Sequence, residues 1–126
     1  MNHYTEINLL KLVEEILNLD TAMRFVAVID LKGNILEAIM KEKKTSLESQ
    51  KQQEKFCKDS AKARLMREYY DDTLGKTRYA HIERENVTQI YVYPKKSTIF
   101  VTMEPELSID RKMEIITKIK KLTSNL

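Results

Sequence analysis

In the run Arg24-Phe25-Val26-Ala27-Val28-Ile29-Asp30, neighbouring residues are apolar at both pleat positions, where a half-exposed strand would alternate apolar with polar. A strand of this kind needs cover from above and from below. The stretch Thr98 to Met103 makes the same demand. Two such strands require a sheet that carries helices on both faces, and the remaining segments must supply them.

The rest of the chain meets that requirement. A first helix is expected from about Tyr4 or Thr5 to Asn18, with Thr5 as a cap and Ile7, Leu10, Val13 and Leu17 along one side. Asp30-Leu31-Lys32-Gly33-Asn34 has turn chemistry, because Gly33 takes positive φ without steric cost, and Ile35 to Met40 then returns as the second strand of a hairpin. Lys41-Glu42-Lys43-Lys44 reads as a solvated connector. Thr45 or Ser46 is expected to cap a long helix reaching Asp72, with Gly75 as a stop or a turn just beyond it. Thr77–Glu83, Val87–Tyr93 and Thr98–Met103 are rich in β-branched and aromatic residues and are separated by polar breaks, which predicts an antiparallel meander. After Pro105, a final helix capped by Ser108 or Asp110 is expected to present Met113, Ile115, Ile116, Ile119 and Leu122. The segment from Thr77 carries Arg78, His81, Glu83 and Arg84 and reads as an edge. The expected fold is therefore an α/β (α+β) sandwich over residues 1–126 as a single domain. It has a five-stranded antiparallel sheet of order 2-1-5-4-3, terminal helices on one face and the long central helix on the other.

That long helix has two apolar sides. On a wheel of about 100° per residue, Phe56, Ser60, Ala63, Met66 and Tyr70 fall together, while Cys57, Ala61, Leu65 and Tyr69 gather roughly opposite. A surface helix of a monomer has one side to hide. The pattern predicts that one side packs on the chain's own sheet and the other on a second chain. Arg64 and Arg67 border this helix near Tyr69-Tyr70 and have two readings: dimer contact, or pairing within the chain to Glu68, Asp71 or Glu83.

Composition and motifs exclude much chemistry. With 42% hydrophobic and 33% charged residues the chain is too apolar for disorder and too charged for a membrane protein. Met1 to Asn8 lacks the order of a secretion signal, so the cytoplasm is the expected compartment. Cys57 is the only cysteine and reads as a small packing residue. With Gly33 and Gly75 as the only glycines, no phosphate-cradling or dinucleotide loop exists. His3 and His81 are the only histidines, too few for a histidine metal site, and His81 reads as a partly exposed structural residue. Glu14-Glu15 and Asp71-Asp72 point about 100° apart on a helix and do not converge on a reacting atom. Tyr91 and Tyr93 share a strand face, either as a base-stacking platform or, in the preferred reading, as surface buried under a helix. No enzyme activity, cofactor or metal is expected.

The order helix, two strands, helix, three strands, helix resembles the roadblock family of dynein-light-chain-like proteins, which shares a profilin-like architecture with longin domains. The best local match is Met23-Arg24-Phe25-Val26-Ala27-Val28-Ile29-Asp30-Leu31-Lys32-Gly33-Asn34-Ile35, similar to that family's opening hairpin. The resemblance implies a homodimer or a dimer with a related chain, in which the long helix and the neighbouring edge strand meet their counterparts. It further implies a non-catalytic scaffold or regulator, with a small Ras-like GTPase or a signalling complex as partner. Carried onto this sequence, the pairing residues would be Phe56, Ala63, Arg64, Arg67 and Tyr70 on the helix and Arg78, Ala80 and Ile82 on the edge, or the opposite helix side. The rival readings are a small-molecule sensor of PAS-like or GAF-like type, which needs a hollow between sheet and helix, and, more weakly, a nucleic-acid binder.

Overall fold

The computed structural model describes residues 6–42, 47 and 49–126, and the side chains among them from residue 8 onward. In chain order these residues form α1 (Glu6–Leu17), β1 (Met23–Asp30), β2 (Ile35–Met40), α2 (Gln50–Glu68), α3 (Asp71–Leu74), β3 (Tyr79–Glu83), β4 (Thr88–Val92), β5 (Ser97–Met103) and α4 (Ile109–Leu122). The sheet order is β2-β1-β5-β4-β3, antiparallel at every pairing. The twice-apolar strands β1 and β5 lie side by side at the centre, as their pattern demands.

One face of the sheet is closed by α1 and α4. Leu9, Val13, Ile16 and Leu17 from α1 and Ile115, Ile116 and Ile119 from α4 enclose Val26, Val28, Ile90, Ile99 and Val101 in a single dry cluster. The expected α1 stripe is shifted: Leu10 stands exposed, and Leu9 and Ile16 take its place, because positions 9, 13, 16 and 17 fall on one helical face. Expected residue Ile7 and cap Thr5 lie outside the described side chains. On α4 the cap is Ser108, which accepts from the Arg111 amide, and Met113 and Leu122 lie at the wet margins of the stripe.

The other face, under α2, holds a smaller cluster of Ala27, Ile29, Cys57, Tyr91 and Phe100, with Phe25 and Phe56 packed against it. A register shift between Met23 and Phe25 explains how residues two apart face opposite layers. Met23 joins the α1–α4 core and Phe25 the α2 side.

The long helix differs from expectation at both ends. It starts at Gln50, where Ser49 and Gln52 form a reciprocal capping box; the expected caps Thr45 and Ser46 lie outside the described residues. It ends at Glu68, and a separate short helix follows with Asp71 and Asp72 in its first turn, where negative charge is favoured. Gly75 stops that helix at φ 82°, as expected. The strands from Thr77, Val87 and Thr98 are displaced by one or two residues from their expected starts, leaving Arg78 just ahead of β3.

Gly33 does more than turn the hairpin. At φ +90° it is buried against α2, and a Cβ there would lie 2.7 Å from Cα of Lys58 and 2.9 Å from the Cys57 carbonyl oxygen. The hairpin tip is thus a seat for the helix backbone, reinforced by the Lys58 ammonium donating to Asn34. Gly33→Ala is expected to cost about 3 kcal/mol, from left-handed backbone strain and overpacking, read as a lowered urea midpoint with unchanged slope.

Candidate interaction surface

α2 is a polar helix resting on an aromatic bed. Among its described residues only Cys57 is buried. Phe56 is half-buried, its ring 5.1 Å from that of Phe100 and 6.1 Å from that of Tyr91. Gln53, Ser60, Ala61, Ala63 and Arg64 are likewise half-buried. The sheet-facing line therefore runs between the two expected sides, drawing Phe56 and Ser60 from one and Cys57 and Ala61 from the other. Neither set as a whole faces the sheet, because the flat aromatic bed accepts the border between them.

The second half of the helix is held by polar contacts. The Arg64 guanidinium donates to the carbonyls of Pro94 and Ser97 and to Thr98 Oγ1 at 3.0 Å, and it lies 5.1 Å from the centre of the Tyr93 ring. Arg67 donates to Tyr93 Oη at 3.0 Å. Both arginines have partners within the chain, through carbonyls and tyrosine and not through the expected carboxylates. Tyr91 is buried, which pushes its hydroxyl up to about 12, and Tyr93 is half-buried beneath the arginines. The tyrosine pair therefore lies under a helix, as the preferred reading had it. Arg64→Met is expected to cost about 2 kcal/mol by leaving two carbonyls unpaired, and to accelerate amide exchange across α2 ahead of the rest of the chain.

With Arg64 facing inward, the apolar residues that follow it face out. Leu65, Met66, Tyr69, Tyr70 and Leu74 are 56–83% exposed, and the rings of Tyr69 and Tyr70 meet edge-on at 5.0 Å. Scattered exposed leucines are ordinary, but five large apolar side chains within ten residues of one helical hairpin form a patch. Of the expected pairing residues, Tyr70 and Arg67 lie at this patch, Ala63 is half-buried beside it, and Phe56 and Arg64 are committed to the chain's own sheet.

The β3 edge has no neighbouring strand on its outer side among the described residues. Ala80 is half-buried and Ile82 exposed on the α2 side, while Tyr79, on the other side, packs against the α1–α4 core. Its end is anchored by a residue that sequence reasoning missed. Lys112, 3% exposed, donates to Glu83 Oε1 at 2.8 Å and to the Pro105 carbonyl at 3.0 Å. Glu83 also meets His81 Nε2 at 2.6 Å and accepts from Thr88 Oγ1 at 2.9 Å. The signal was a lysine on the apolar stripe of α4, three and four positions before Ile115 and Ile116. The bond from Lys112 comes first among the causes that hold the Glu83 carboxyl down at about 2, despite opposing desolvation.

A carboxyl that titrates lower when folded lends stability above its usual value near 4.5 and loses it as pH falls toward about 2. Glu83→Gln is expected to cost about 2 kcal/mol at neutral pH, because a buried ammonium loses its counter-charge, and that deficit should shrink as pH is lowered through this window. Paired urea titrations at pH 6 and pH 3 measure it.

Residues 5–125 match the sequence model of a family described as a family of unknown function, DUF6659. The chain belongs to this family. No curated protein matches the sequence. Among solved structures, the gliding protein MglB of Thermus thermophilus superposes with a TM-score of 0.79 at 10% identity, covering 99% of this chain and 92% of that one. The Roadblock/LC7 domain of Streptomyces avermitilis matches with a TM-score of 0.70 at 7% identity, with 91% of each chain covered. Profilin II of Acanthamoeba castellanii matches with a TM-score of 0.59 at 14% identity, covering 90% of this chain and 94% of that one. This DUF6659 chain thus has the roadblock fold, with the profilin-like architecture that the order of elements implied. Among its described residues, no helix is long and apolar enough to cross a membrane, and no group of three or more His, Cys, Asp or Glu is placed to hold a metal ion.

Proposed function

We propose that this chain is a non-enzymatic interaction module that works as a dimer, acting as scaffold or regulator in a small-GTPase-linked or signalling complex. The observation that carries the reading is the exposed patch of Leu65, Met66, Tyr69, Tyr70 and Leu74, together with an edge strand whose outer side is open among the described residues. Apolar area of this kind is stabilised by a partner surface, and unpaired strand backbone offers hydrogen bonds to a second sheet. The fold adds support: an MglB has been solved in a tetrameric arrangement, so this architecture serves self-association in a structural neighbour. The GTPase link comes from the resemblance to the roadblock family.

The pairing surface in this reading is the outer side of α2 and α3 with Arg67 and Tyr70, continued by Arg78, Ala80 and Ile82 along β3. Phe56 and Arg64 act behind it by holding α2 in place. Light scattering is expected to return twice the 14.8 kDa chain mass for wild type. Leu65→Glu with Tyr69→Glu should return a folded monomer, since two charges in a desolvated apolar contact outweigh ordinary interface energies. A monomeric wild type would overturn the dimer, and a double variant that stays dimeric would remove α2 from the interface.

A further inference from the structure

The first half of α2 leaves part of its bed uncovered. Beneath it lies a hollow of about 670 Å³, within the range of about 300–1,000 Å³ usual for small-molecule sites. Its floor is one cross-strand row, Gln89–Thr102–Phe25–Met40, running over β4, β5, β1 and β2. The next row, Ala80–Tyr91–Phe100–Ala27–Ala38, is filled by the ring of Phe56, which also walls the hollow.

In the middle of this floor stand two polar side chains that the fold leaves unfinished. Gln89 is 6% exposed; its Oε1 accepts from Arg84 Nε at 2.8 Å, and among the described residues its amide nitrogen donates to no protein group. Thr102, its cross-strand neighbour, is half-buried and its hydroxyl has no protein partner among the described residues. Neither polar atom is sealed from water, so both remain available to an occupant of the hollow. Arg84 stands at the mouth, oriented by Gln89 through one nitrogen. Its two terminal amino groups have no protein partner among the described residues.

We propose that the hollow binds a small monocarboxylic acid with an apolar body. The carboxylate takes the two terminal nitrogens of Arg84 in the planar two-bond geometry that guanidinium favours, with the Gln89 amide donating beside it. The apolar body lies over Phe25, Met40 and Phe100 beneath Phe56. A singly charged head suits this hollow better than a phosphate, because Glu83 and Glu85 also border it and its second arginine, Arg24, is ion-paired to Glu104. The site lies under the half of α2 away from the exposed patch.

Isothermal titration with octanoate and with its uncharged counterpart octan-1-ol tests it. Wild type should bind octanoate about tenfold or more tightly than octan-1-ol, and Arg84→Gln should erase that preference while leaving octan-1-ol unchanged. Thr102→Phe, which fills the floor, should abolish both. Gln89→Leu, which keeps the volume, should weaken octanoate alone. Thermal unfolding of each variant confirms that it is folded. Equal binding of the two probes, no binding of either, octanoate binding that survives Arg84→Gln, or binding retained in a folded Thr102→Phe would overturn the proposal.

Discussion

The two central strands are apolar on both faces, and every other part of the architecture answers to that constraint. Val26 and Val28 point one way and Ala27 and Ile29 the other, all of them buried. Burial of such side chains contributes on the order of 1.5–3 kcal/mol each for the larger ones, so a fold that left either face open would forfeit more than the usual margin of stability. The two faces are nevertheless met by different means. α1 and α4 close theirs with interlocked aliphatic side chains, whereas α2 closes the other with a few aromatic rings and a set of polar fastenings.

That asymmetry gives the molecule its functional character. A helix held mainly by Gly33, Lys58 and Arg64 has little apolar surface committed to its own sheet, so its remaining large side chains face outward. The patch at its second half and the hollow under its first half have the same origin: a polar helix on a flat bed covers the sheet incompletely. The aromatic residues between Phe25 and Tyr93 fill the layer in the middle and leave both ends available for something other than core.

The β3 edge shows a second use of polar residues. Lys112 emerges from the apolar stripe of α4 to meet Glu83 at the end of the outermost strand, and His81 and Thr88 complete the cluster. A buried ammonium is tolerated only with its partner in place, which favours this end of the strand in one arrangement. An edge strand fixed in this way keeps its outer backbone in a defined register.

The order of elements, the hairpin at Gly33, the central place of β1 and β5 and the sheet order were legible in the chain, because these follow from local periodicity and from strands that need two covers. The sequence also showed that the long helix carries more apolar residues than one face can hide. Which line of that helix meets the sheet was settled by packing, since the sheet accepts the border between the two apolar sides and the wheel cannot register the shape of an aromatic bed. The chain also left open that Arg64 turns inward to carbonyls of the β4–β5 turn, that Lys112 is buried opposite Glu83, and that Gln89 and Thr102 share an uncovered row. Each of these joins residues many positions apart through strand register and helix placement, and no local pattern carries that information.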